Sequence, residues 1–103
     1  MEETSLSLSK PIEANNMTIS ELKFDWDKMT GADYKNISRV ARMLSDNPVD
    51  VTLRETSSEF RIATAWVCAC KTNVGLMDDM ILKLSIKDIL GLEEIGVFFI
   101  AGV

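Results

Sequence analysis

The sequence predicts an α+β fold, mainly α, with a short N-terminal β-hairpin followed by three to four helices. Three observations carry this prediction. Apolar residues alternate in SLSLS (5–9) and recur in MTISELKF (17–24), with the turn-forming Ala14-Asn15-Asn16 between the two runs. From residue 34 onward the apolar spacing changes to steps of three and four. Helix-start signals, a Ser or Thr with Asp or Glu three residues later, occur at Thr30/Asp33, Thr56/Glu59 and Ser85/Asp88.

Residues 1–4 read as a frayed end, and 5–25 as the hairpin. Leu6 and Leu8 share one face of the first strand, which Pro11 is expected to restrict. In the second strand Met17, Ile19, Leu22 and Phe24 are the apolar positions. The period breaks near Ser20-Glu21, which predicts a bulge or a strand end there. A two-stranded hairpin is marginal alone, so helices must cover its apolar face.

Helix one starts at Thr30, with Asp33 favouring the positive helix end. Tyr34, Ile37, Val40, Ala41 and Leu44 form its apolar face, opposite Lys35, Arg39 and Arg42. It should stop near Ser45-Asp46-Asn47-Pro48, because proline disfavours helical dihedrals in the residue before it. Helix two begins around Thr56. Its body, FRIATAWVCACK, is apolar over most of its circumference and belongs in the middle of the domain or in an oligomer interface. Asn73 and Gly75 supply its stop. Leu76, Met80, Ile81 and Leu84 form one short amphipathic face. Ser85 with Asp88 then opens a last helix carrying Ile86, Ile89, Leu90, Ile95, Phe98 and Phe99, in which Gly91 and Gly96 each lower helix propensity by ~1 kcal/mol relative to Ala. The helical part runs over 30–102, and all 103 residues read as a single domain.

Composition limits the chemistry. Sixteen acidic residues stand against 11 basic ones, for a formal charge of −5. The basic residues are scattered singly, so nucleic-acid binding has no patch to use. MEETSLSLSK has neither the basic nor the apolar region of a secretory signal, and IGVFFIAGV, at nine residues, is far short of the ~20 needed to span a bilayer. A cytoplasmic protein that binds neither membrane nor nucleic acid is the expectation. On that basis the glycosylation-like triplets at Asn16 and Asn36 are chance matches. There is no histidine, which removes Ser-His and Cys-His nucleophile pairs and most zinc sites. The five glycines form no phosphate loop. Asp25 and Asp27 flank Trp26 as a conceivable carboxylate pair, but a solvated pair before a helix start looks the same. Asp78-Asp79 and Glu93-Glu94 read as solvated faces rather than metal ligands. Cys68 and Cys70 lie roughly 200° apart around a helix axis, which suits neither a shared metal nor a disulfide. No enzyme, cofactor or metal is expected.

What remains is apolar surface. The chain ends in VFFIAGV, and such patches on small proteins mark protein–protein contact. The candidate interaction residues are Trp26, Tyr34, Trp66, Ile95, Phe98 and Phe99, with Trp66 also readable as core. Self-association through the VFFIAGV end is a further expectation.

The order of short motifs resembles the small tail assembly chaperones of long-tailed bacteriophages and prophages. Lys10-Pro11-Ile12, Ser20-Glu21-Leu22 with Phe24, and Met29-Thr30-Gly31-Ala32-Asp33 match that family's K-P-I element, second strand and first helix start. Ser57, Glu59 and Phe60 before an Ala-rich helix, and Leu84-Ser85-Ile86-Lys87-Asp88, resemble its later helix starts. The likeness spans most of residues 8–100, and its motifs are structural rather than chemical. The β-branched residues of 46–54 and the Trp66–Cys70 segment depart from it. The resemblance implies binding to the tape measure protein, a long, apolar, helical chain that must stay soluble until the tail tube surrounds it. The hairpin would then brace helix two and set the angle of helix one. Two other classes fit the charge and the missing active site. An acidic regulatory or inhibitory module, antitoxin-like or a DNA mimic, should group its carboxylates on one face, whereas here they are interspersed with Lys and Arg. A structural tail component should have more β content.

Overall fold

The computed structural model describes residues 4–14, 16–44, 58–73 and 75–102. It has an N-terminal hairpin, β1 (Thr4–Ala14) and β2 (Met17–Phe24), then α1 (Asp33–Leu44), α2 (Ser58–Thr72) and α3 (Ile86–Gly102). Short 3-10 turns at Trp26–Lys28 and Asp78–Lys83 precede α1 and α3. This is the predicted α+β, mainly α arrangement. The expected stop of helix one at 45–48, the start of helix two at Thr56 and the 46–54 linker lie outside the described residues.

The strands pair antiparallel, with Ala14 opposite Met17 and Thr4 opposite Phe24. Thr4, expected to be frayed, is therefore part of β1. Asn16 takes φ 66°, a left-handed conformation that asparagine tolerates in tight turns. The register jumps between Ser7, opposite Glu21, and Ile12, opposite Ile19. Residues 8–11 thus face only Ser20, so β1 bulges at the level where the β2 period breaks. Burial along β2 switches parity there too, from Ile19 to Leu22 and Phe24. Pro11 lies inside the bulge. It has no N–H to donate, and the bulged segment asks for none, so the strand continues past it to Ala14.

Helix α2 is the centre of the molecule. Its residues 62–69 are all buried, including Trp66, and each large apolar side chain fully buried there contributes roughly 1.5–3 kcal/mol. The one hydroxyl among them, on Thr64, is satisfied by donating to the Phe60 carbonyl at 2.8 Å. The hairpin packs on α2 through β2 and on α3 through β1, while α1 rests mainly on α2. The principal contact of α1 is with α2 rather than with the strands.

Three side-chain clasps fix these elements. Asp33, buried at the start of α1, accepts from the Thr30 amide at 2.7 Å and from the Lys71 ammonium at 2.7 Å, joining α1 to the end of α2. Asn73 extends α2 onto β2 by accepting from the Lys23 amide at 3.2 Å and donating to its carbonyl at 2.9 Å. Asp88, in the first turn of α3, accepts from the Ser9 amide at 2.8 Å and the Lys10 amide at 3.3 Å. Those two amides lie in the bulge, where the strand ladder leaves donors over, and the helix start supplies the missing acceptor.

Candidate functional site

The outer face of α3 and the turn beside it hold most of the exposed apolar surface. Helix α3 crosses α2 at Gly96, so closely that a Cβ there would lie 2.1 Å from the Arg61 carbonyl oxygen. Gly91 lies against Leu6 of β1. The two glycines that weaken the helix in isolation are the points where it meets its neighbours. Leu92 is fully buried, and Ile89, Ile95, Phe99 and Ile100 pack against the core at its edge. The other side carries Ile86 at 76% exposure, Leu90 at 56%, Val97 at 36% and Phe98 at 72%.

At the end of this face the Trp26 ring stacks on Phe99, centroids 4.0 Å apart and planes 13° from parallel, with Phe24 stacked behind at 5.9 Å. An open groove of about 400 Å³ runs beside them, lined by Trp26, Glu94, Ile95 and Phe98. Trp26 was expected among solvent-facing charges, yet it is only 7% exposed. The reason is the 3-10 turn. The Asp25 side chain accepts from the Asp27 amide at 3.2 Å, and the Asp25 amide donates to the Thr72 hydroxyl at 3.0 Å. These bonds curl the chain so that Trp26 turns under α3. Asp25 is thus a cap and Asp27 is exposed, which leaves no converging carboxylate pair.

Four of the six candidate residues, Trp26, Ile95, Phe98 and Phe99, come together here. Tyr34 does not: it is 56% exposed on α1, where its ring meets Phe60 at 6.0 Å. Trp66 is wholly buried, with its indole N–H donating to the Asp78 carbonyl at 3.0 Å, so it is a core residue and cannot anchor a partner. In the sequence Glu94 reads only as a solvated face, Ile86 and Leu90 only as apolar residues of the last helix, and Val97 only within VFFIAGV; none is among the six candidates. Their signal was the spacing of apolar residues in steps of four and seven, obscured by further apolar residues on the buried side.

The ionisable groups nearby serve structure. Lys71 beside Asp33 holds its carboxyl below the ordinary carboxylate value, against burial, with help from Thr30. Burial pushes the Asp88 carboxyl up, but hydrogen bonds from Ser9, Ser85 and Lys10 outweigh it and the net shift is downward. Burial pushes the Cys68 thiol up to about 11, and raises Cys70 as well, with Asp78 adding to the effect. Among the described residues no group of three His, Cys, Asp or Glu is placed to hold a metal ion, and no helix is long and apolar enough to cross a membrane.

Fold and site together define a small α+β protein whose hairpin-braced helical layer leaves an apolar face on its last helix. No family model, curated protein or solved structure matches the chain.

Proposed function

We propose that the protein is a phage tail assembly chaperone, which binds the tape measure protein in the bacterial host cytoplasm and keeps it soluble until the tail tube assembles. The observation that carries this reading is the groove between Trp26, Ile95 and Phe98, a stacked aromatic floor with an exposed aromatic wall. An apolar helical segment fits such a groove by laying side chains into it. Glu94 on the rim and the net charge of −5 would keep the coated client in solution. The motifs from Lys10-Pro11-Ile12 to Asp88 that resemble the chaperone family support the same reading.

The test is co-expression with the large, helix-rich protein that the resemblance implies is encoded just downstream. The expected result is a soluble, co-purifying complex with the wild-type chain. Phe98→Asp should weaken that complex by about 2 kcal/mol, roughly thirtyfold, which is the scale of an aromatic interface anchor. Phe98 is largely exposed, so the variant should keep the wild-type circular dichroism spectrum and melting temperature. If the downstream protein precipitates equally with and without this one, the reading falls and the acidic regulator takes its place.

A further inference from the structure

The face of α3 carries a second pattern, which meets the groove only at Glu94. Ile86, Leu90 and Val97 are exposed and fall within roughly 40° of arc on the helix, spaced by four and seven residues. That is the spacing of the core positions of a two-helix seam. Phe98 points roughly 100° away from Val97, toward Trp26, and lies off the seam. Exposed aliphatic residues in this register on a small protein call for a covering surface.

The charges say which surface. Lys87 and Glu94 are seven residues apart and occupy the same flank of the stripe; both are exposed, and neither is in an ion pair among the described residues. On the opposite flank are Ile89 and Gly96, which face the core and carry no charge. In a parallel helix pair one flank meets the opposite flank, so Lys87 and Glu94 would find no partner. In an antiparallel pair each flank meets its own counterpart. Lys87 then stands beside Glu94 of a second copy, and Glu94 beside Lys87 of that copy. The same twofold sets Ile86 against Val97 of the second copy. It sets Leu90 against Glu93, whose charge Arg61 answers within its own chain at 3.8 Å. The pattern is self-complementary, which is the requirement for an isologous interface.

We infer that α3 pairs with α3 of a second copy of this chain, antiparallel about a twofold axis, through Ile86, Leu90 and Val97 with reciprocal Lys87–Glu94 ion pairs. The pairing is argued without the chaperone reading; it uses none of Trp26, Ile95 and Phe98 and shares with the groove only Glu94 on its rim.

The experiment is sedimentation equilibrium of the full chain alone at low salt, from about 5 to 500 µM, with circular dichroism on every variant. The wild type should dimerise with a micromolar Kd. Leu90→Asp should be monomeric throughout. Lys87→Glu and Glu94→Lys each turn both ion pairs into like-charge contacts and should weaken the dimer about tenfold or more. The double variant Lys87→Glu/Glu94→Lys restores opposite charges and should return to within about threefold of wild type. A monomeric wild type, a larger assembly, a dimer indifferent to Leu90→Asp, or a double variant no tighter than the singles would each overturn the inference. No client is present in this assay, so its outcome is independent of tape-measure binding.

Discussion

Replacing Gly96 with alanine tests the α2–α3 crossing directly. The new Cβ would sit 2.1 Å from the Arg61 carbonyl oxygen, 2.8 Å from its carbonyl carbon and 3.2 Å from its Cα. All three atoms belong to the α2 backbone, so none can rotate aside. The helices must separate by about 1.4 Å to restore ordinary contact near 3.5 Å. Overpacking of this kind costs about 1–3 kcal/mol, and the backbone clash puts it at the upper end. Alanine returns ~1 kcal/mol of helix propensity, leaving a net loss of about 2 kcal/mol. For a domain of this size that lowers the melting temperature by roughly 8–16 °C. Gly91→Ala is the matched control: its Cβ would meet the Leu6 Cδ1 at 3.1 Å, the far end of a flexible side chain. Leu6 can yield, so this variant should gain up to ~1 kcal/mol from propensity. Urea titrations followed by far-ultraviolet circular dichroism measure both. The reasoning fails if Gly96→Ala is as stable as wild type, or if the two variants shift in the same direction.

Acid should weaken the protein through the clasps. Asp33 and Asp88 have folded pKa values below the ordinary 3.8, so each contributes in full above that value and loses its contribution as pH falls through the depressed one. Urea midpoints should hold down to about pH 5 and fall below about pH 4. Asp88→Asn should cost about 2 kcal/mol at neutral pH, since an amide offers at most one acceptor to the Ser9 and Lys10 donors. The acid slope should also flatten in that variant, and an unchanged slope would count against the clasp. The buried Cys68 and half-buried Cys70 thiols should react with a disulfide reagent at about pH 8 at least ~100-fold more slowly in the native than in the urea-unfolded chain. Prompt labelling of both in native protein would refute their placement.

Local rules made much of the fold legible. Half of each predicted box forms. The Thr30 amide donates to the Asp33 carboxylate, although the helix begins only at Asp33 and not at Thr30. The Asp88 amide donates to the Ser85 hydroxyl at 3.2 Å, while the Asp88 carboxylate turns to β1. Asn73 and Gly75 end α2, Gly75 taking φ 88°. Leu76, Met80, Ile81 and Leu84 are all buried, though Met80 and Ile81 lie on a 3-10 turn rather than a short α-helix and the two leucines flank it. What escaped sequence reading depends on partners far along the chain. The two aspartates beside Trp26 suggested exposure, and the Thr72 hydroxyl that accepts from the Asp25 amide as the chain turns inward lies 47 residues away. Asp88 announced itself as a cap, but nothing near it told of a bulge 79 residues earlier that needed its carboxylate. Gly91 and Gly96 looked like helix weaknesses because the neighbours that require them belong to β1 and α2. The site was legible in its residue types, and not in which sides of α3 they share.

The clasp between the β1 bulge and the start of α3 also bears on how the chain folds. Most of the hairpin closes locally, within microseconds, but a hairpin alone is marginal. Its Ser9 and Lys10 amides find their acceptor only when Asp88 arrives, after the whole helical part has been synthesised. During translation the earlier helices can gather around α2 while the strand stays uncommitted, and the last helix then locks the first strand. Weakening the clasp should therefore speed unfolding far more than it slows folding.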